Sequence, residues 1–226
     1  MSDKTSDSSL HQTTEEGVGT QFSKQDIEII SRKNVFDGFF KMEEYQFKHR
    51  LFEGGWSKVV KREIFERGHA VAVLPYDLKR AEFVLIEQIR IGALPTRDNP
   101  WLIEIIAGMI EPNESAEDVC IREAKEESGV DLTHLSKALS YLSSPGGTSE
   151  RLHIYMAQVD SSTAAGVHGL EYESEDIKVH RVPEQLALDW VESGVIDNAA
   201  AIIAIQWFMI NKQKLLAEWR KADDKQ

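Results

Sequence analysis

The stretch GMIEPNESAEDVCIREAKEESGV, Gly108 to Val130, decides the fold of this chain. Ser115 with Asp118 three residues on reads as a capping box, and Gly129 reads as a left-handed cap, so the spacing predicts a helix from about Ser115 to Ser128. With Ala116 at the centre of the inward face and about 100° per residue, Val119 and Cys120 fall to either side, as core residues should. Glu123 and Glu127 land within roughly 20° of that line, with Glu126 at the edge of the stripe. The stripe is therefore apolar in its first turns and acidic in its last. Like charges four residues apart on a helix repel. Within the stretch, Glu111, Glu114, Glu117, Asp118, Glu123, Glu126 and Glu127 are opposed only by Arg122 and Lys125. Hard oxygen donors gathered in one place are what Mg²⁺ or Mn²⁺ requires, and a shared divalent cation resolves the conflict.

Around this helix, the runs HAVAVLPYD, FVLIEQIRI, WLIEIIAGM and LHIYMAQVD are short, apolar and bounded by Pro, Gly, Asp or Arg, which marks four buried strands. IKVH adds a further strand after an acidic loop. Two more helices are predicted, from Pro183 to Ser193 and from Asp197 or Asn198 to about Lys221. Strands and helices without a regular βαβ repeat favour an α+β sandwich over a doubly wound sheet. Residues 22–66 read as a small β-rich amino-terminal domain with turns at Asp37-Gly38 and Gly54-Gly55, and residues 67–222 as the main domain. Residues 1–20, poor in large apolar groups, read as a flexible tail.

A chain of 226 residues, 42% hydrophobic, has room for one substantial core and a smaller appendage. Its net charge of −12 argues against binding to nucleic acid or an anionic membrane, and an anionic ligand would need cations as mediators. The longest apolar block, Ala199 to Ile210, falls short of the roughly 20 residues that span a bilayer. The one cysteine, Cys120, excludes an intramolecular disulfide and fits a reducing, cytoplasmic setting. It lies near the helix's core face and reads as inert packing. His69, His153 and His180, in or beside strands, read as core or surface residues, because hard cations prefer oxygen donors.

The opening stretch resembles the Nudix box, G-x5-E-x7-R-E-U-x-E-E-x-G-U with U apolar. Gly108, Glu114, Arg122, Glu123, Glu126, Glu127 and Gly129 take the fixed positions, and Ala124 and Val130 the aliphatic ones, Ala124 being small for its place. The resemblance implies an α/β/α sandwich that hydrolyses a nucleoside diphosphate linked to another moiety, using two or three Mg²⁺ ions, with Mn²⁺ as a substitute. By the same resemblance Glu123 and Glu127 ligate metal, Glu126 ligates or flanks it, and the carbonyl of Ala107 is a further ligand. Glu114 and Arg122 bond to each other and orient the cluster, as scaffold with Gly108 and Gly129.

The segments GFFKMEEYQFKHRLFEGG, VKREIFERGHAVAVLP, IEQIRI, SSPGGTSERLH and LEYESEDIKVH resemble the bacterial ADP-ribose pyrophosphatase subfamily, from about Asp26 to Trp219. The likeness implies hydrolysis of ADP-ribose to AMP and ribose 5-phosphate by a homodimer with exchanged amino-terminal domains. A related nucleoside diphosphate sugar such as GDP-mannose, and a non-catalytic ADP-ribose sensor, are the rival readings. The intact carboxylates weigh against the sensor. Phe39 and Phe40 would flank the adenine from the neighbouring subunit; on a strand only one of two adjacent side chains faces the core. Arg62, Glu63, Arg67 and Arg90 would contact the ligand's diphosphate, base or ribose, although Arg62 and Arg67 also suit surface pairs with Glu63 and Glu66. Met109, Ser144, Pro145, Gly146 and Glu150 would line the pocket. Glu173 is the implied general base and Glu175 an additional metal ligand brought by a closing loop, with Glu171 as the neighbour that competes for either role.

Overall fold

The structure, a computed structural model, describes residues 19–223. The stretch read as a tail lies outside them except for Gly19 and Thr20. The described residues form two compact units divided between Ile64 and Phe65.

The amino-terminal sheet consists of β1 (Ile27–Asp37), β2 (Lys41–His49) and β3 (Val60–Glu66), in that order, and the division between the units falls within β3. β1 pairs antiparallel with β2, with irregularities at Ile29/Ser31 and Asn34/Phe36. The side chains of Glu43 and Glu44 are buried here, which is tolerable only because cations meet them. Arg32 forks onto Glu43 at 2.7 and 2.9 Å, and Lys33 and Lys61 both pair with Glu44. Ile27, Ile29, Ile30, Val35 and Phe36 on β1 are exposed. Phe39 and Phe40 sit in the turn between β1 and β2, so strand alternation does not govern them. Their rings meet edge to face at 4.7 Å, and Phe39 is 90% exposed.

The larger unit is built on a mixed sheet ordered β10 (Val167–His168), β11 (Ile177–Pro183), β5 (Glu82–Ile89), β4 (Ala70–Asp77), β9 (Arg151–Gln158), β8 (Thr133–Leu142). β4 and β9 run parallel; the other pairs are antiparallel. β4 and β5 pair only at their hairpin end, Tyr76 with Phe83 and Asp77 with Glu82, and then diverge. This corrects the reading of WLIEIIAGM as one strand. The run divides at Ile105 because the sheet has opened: β6 (Trp101–Glu104) pairs with β5, and β7 (Ile106–Met109) with β4.

Alternation along the central strands builds a core on each face. Ala72, Leu74, Tyr76, Phe83, Leu85, Ile154 and Met156 pack against α2 (Glu184–Ser193) and α3 (Ala199–Asp223) through Ala187, Ala204, Ile205 and Phe208. Val71, Val73, Val84, Ile86, Ile106 and Tyr155 pack against α1 (Ala116–Ser128) through Val119, Cys120 and Ala124. The result is a sandwich of helix, sheet and helices, the α+β architecture expected.

α1 begins as its sequence directs. Ser115 Oγ accepts the amide of Asp118 at 3.1 Å and donates to that residue's carboxylate at 2.7 Å, and Gly129 closes the helix at φ 70°. β8 has no counterpart among the strands read from sequence. Its residues THLSKALSYL mix polar and apolar types because it is an edge strand, mostly half-buried and broken twice in register.

Candidate active site

α1 lies across the sheet so that Val119, Cys120, Ala124, Glu127 and Ser128 are buried. The centre of the buried face is therefore turned by roughly 40° from Ala116 towards Ser128, at 100° per residue. Glu127 lies in its middle, 3% exposed, while Glu123 and Glu126 line one flank. Burial pushes the Glu127 carboxyl up to about 8; the amide of Ala107, donating at 3.1 Å, opposes this, Glu123 adds to it, and Arg90 offsets part. Burial also pushes Glu123 up to about 7 against the pull of Arg122, with Glu126 and Glu175 raising it further. Three carboxylates from α1 and one from the acidic loop thus share one electrostatic neighbourhood, in which ionisation of Glu123 and Glu127 is disfavoured.

β7 supplies the floor. Gly108 passes so close to α1 that a Cβ there would lie 2.1 Å from Glu123 Oε1, so any side chain would displace that carboxylate. Ala107 presents its N–H to Glu127. Arg122 ties the group together: Nη1 donates to Glu123 at 2.8 Å and to Glu126 at 3.0 Å, while Nε and Nη2 reach Glu114 at 3.3 and 3.4 Å. Glu175 has its Oε2 on the amide of Leu170 at 3.0 Å. Each acidic group thus meets a donor, Glu123 and Glu126 sharing Arg122 Nη1, and among the described residues no three His, Cys, Asp or Glu side chains stand ready as a cation shell. The chemistry of the set nevertheless fits a divalent cation. All its side-chain donors are hard oxygens, and mutual repulsion raises two of them, the condition a shared Mg²⁺ relieves.

Around this centre the structure separates the remaining candidates by unit. In the larger unit Arg90, at the end of β5, donates from Nε to Glu104 of β6 at 2.8 Å. Glu104 was not singled out from sequence, yet it shows the same misfit as Glu127, a carboxylate in an apolar run, WLIEII, and burial raises its pKa while Arg90 opposes the rise. Arg67 pairs with Glu150 at 3.2 Å. Ser144, Pro145 and Gly146 belong to a tight loop closed by Gly147 N and Thr148 N on the Ser144 carbonyl, both 2.9 Å. That loop is pinned to Phe65 by Phe65 N to Gly147 O and by Thr148 Oγ1 to Phe65 O, both 2.8 Å. Met109 ends β7, half-buried. Glu171 and Glu173 lie on an exposed single helical turn, and Glu175 follows it. In the amino-terminal unit Arg62 and Glu63 are exposed on β3, Arg62 Nη1 donating to the Lys61 carbonyl at 2.7 Å.

The NUDIX domain family model matches residues 66–211, the span that contains this helix, the sheet beneath it and the acidic loop. The chain belongs to the Nudix family. Within it, the chain is 54% identical over 198 residues to an Escherichia coli protein named ADP-ribose pyrophosphatase, covering 88% of this chain and 95% of the relative. A Haemophilus influenzae protein of the same name is 46% identical over 204 residues, covering 89% and 94%. A solved structure described as an ADP compounds hydrolase aligns with a TM-score of 0.63 at 22% identity, covering 89% of this chain and 98% of the other, which bears on the fold alone. As a Nudix hydrolase, the protein places its box helix on the sheet face opposite α2 and α3, with the acidic loop beside the helix's last turn.

Proposed function

We propose that this Nudix hydrolase cleaves the pyrophosphate bond of ADP-ribose, giving AMP and ribose 5-phosphate, with Mg²⁺ as its cofactor, two or three ions per site, and Mn²⁺ as a substitute. The observation that carries the reading is the convergence of Glu123, Glu126 and Glu127 with Glu175, where burial and mutual repulsion hold carboxyls well above their ordinary range. Glu123, Glu127 and Glu175, with the Ala107 carbonyl, would hold the cation, and Glu126 lies within reach of it. When bound, the metal neutralises the diphosphate and lowers the pKa of water.

The protein's own groups do the rest. Arg90, partnered by Glu104, directs its charge at the diphosphate. Glu173, free of the buried cluster, takes the proton from the attacking water. Arg67 and Glu150 form a rigid pair beside Met109 and the Ser144 to Gly146 loop, which shapes the pocket and excludes bulk water. Arg122 and Glu114 hold the carboxylates in place. In a homodimer with exchanged amino-terminal units, Phe39 and Phe40 flank the adenine and Arg62 and Glu63 contact the ligand. The exposed Ile27, Ile29, Ile30, Val35 and Phe36 of β1 support such a partner surface. A cytoplasmic setting agrees with the lone, buried thiol of Cys120.

The test is a substrate panel of ADP-ribose, GDP-mannose, ADP-glucose, NADH and diadenosine polyphosphates, each with Mg²⁺ and with chelator. ADP-ribose is expected to be turned over fastest and only with metal. Faster turnover of GDP-mannose would move the assignment to that sugar, and binding of ADP-ribose without turnover would make the domain a sensor.

A further inference from the structure

The acidic loop that carries Glu171, Glu173 and Glu175 has a built attachment that the chemistry above leaves unexplained. The last carbonyls of a helix lack intrahelical partners. In α1, Gly129 N takes that of Lys125 at 3.1 Å, and Gly169 N takes that of Glu126 at 3.2 Å. The loop's first residue is therefore bonded to the main chain of a residue inside the carboxylate cluster. Gly169 has φ 106°, and a Cβ on it would lie 2.6 Å from Glu175 Cβ, so only glycine lets the returning strand come this close. Beyond it the loop closes on itself: Leu170 N donates to Glu175 Oε2 at 3.0 Å, and Glu175 N to Leu170 O at 3.3 Å. Residues 170–175 thus form one small body attached at Gly169.

His168 stands beside that attachment. It pairs with Ile177 across β10 and β11, which brackets the loop at its base. Its ring rests against the helix cap so closely that a Cβ on Gly129 would lie 2.7 Å from its Cε1. Its Nε2–H donates to the Ala165 carbonyl at 2.9 Å, which sets the ring's orientation. His168 thus meets the end of α1 and the preceding turn with its ring, and the base of the loop with its main chain.

We propose that His168 is a positioning residue, which docks the acidic loop onto the carboxyl-terminal turn of α1 and so sets where Glu173 and Glu175 stand relative to Glu123 and Glu127. The inference rests on the hydrolase reading for its catalytic consequence, but the docking itself does not. Loss of the ring frees Gly169 from α1, and the loop then spends its time away from the cluster. Substrate contacts made by other elements are retained, so the effect falls on kcat and spares KM.

The experiment measures amide hydrogen exchange over residues 166–176 and steady-state kinetics in the full chain, for wild type, His168→Leu and His168→Gln. Leu keeps bulk without a donor, and Gln keeps a donor able to reach the Ala165 carbonyl. In His168→Leu, exchange is expected to quicken about tenfold or more and kcat to fall roughly 10- to 100-fold with KM within about twofold. His168→Gln is expected to recover most of both. Equal behaviour of Leu and Gln, or loss of kcat without faster exchange, would overturn the proposal. If the wild type leaves ADP-ribose intact, the substrate assignment fails, while the exchange comparison still decides whether His168 docks the loop.

Discussion

At the scale of single residues, the buried Glu127 carries the strongest consequence. Burial and its neighbours hold its carboxyl up to about 8, so ionising it opposes folding whenever no cation is bound. Glu127→Gln keeps an acceptor for the Ala107 amide and removes that charge. We expect kcat to fall on the order of 10²- to 10³-fold, the cost of losing a preorganised electrostatic group, while the melting temperature measured in chelator stays level or rises. A melting temperature several degrees lower would instead make Glu127 a structural acid. Gly108→Ala tests the same cluster from the floor. Its methyl carbon would overlap Glu123 Oε1 far inside van der Waals contact, so activity should collapse alongside that of the Glu127 variant, and metal titration of the two proteins should show equally weakened activation.

At the scale of elements, α1 and the β4–β5 hairpin make separable predictions. Ser115→Ala removes the acceptor for the Asp118 amide and should cost about 1 kcal/mol in urea unfolding, the usual worth of such a cap. At the hairpin, Asp77 is buried, which by itself raises a carboxyl. Donors from Ser161 N and Oγ, Arg80 and Lys79 N outweigh that, and the folded-state pKa lies far below the ordinary value. A carboxyl lowered on folding contributes stability above its unfolded pKa, near 3.9, and loses that contribution as pH falls through the folded value. Unfolding free energy measured from about pH 5 downward should therefore drop less steeply in Asp77→Asn than in wild type; parallel curves would show that other acids govern this range.

Elements also set how much could be read from sequence. The box helix was legible to its caps, because Ser115 and Gly129 are local signals. The division of WLIEIIAGM at Ile105 was not, since nothing local records that β4 and β5 diverge beneath it. β8 escaped because edge strands lack a clean apolar alternation. Glu104 was legible in principle, by the same argument that exposed Glu127. The pairing of Arg67 with Glu150 was beyond local reading, because partners 83 positions apart meet only once β4 and β9 have paired, as Ala70 does with Leu152.

At the scale of the whole molecule, the amino-terminal unit exposes apolar side chains along β1 that an isolated subunit would leave in water. Charge placed there, as in Ile29→Glu with Phe36→Glu, should shift sedimentation from dimer to monomer and lower ADP-ribose turnover with it. A wild-type monomer, or a double variant that stays dimeric, would remove the proposed exchange of units. The larger unit offers a different kind of access. Its only thiol, Cys120, is on the sheet-facing side of α1, with its pKa pushed up to about 12 by burial and by Glu117 and Glu123. An alkylating reagent therefore has nothing to attack until the helix lifts from the sheet. The native chain carries its own clock: the rate at which Cys120 is modified counts openings of the box helix, and ligands that clamp the site from outside should slow that clock without touching the sulfur.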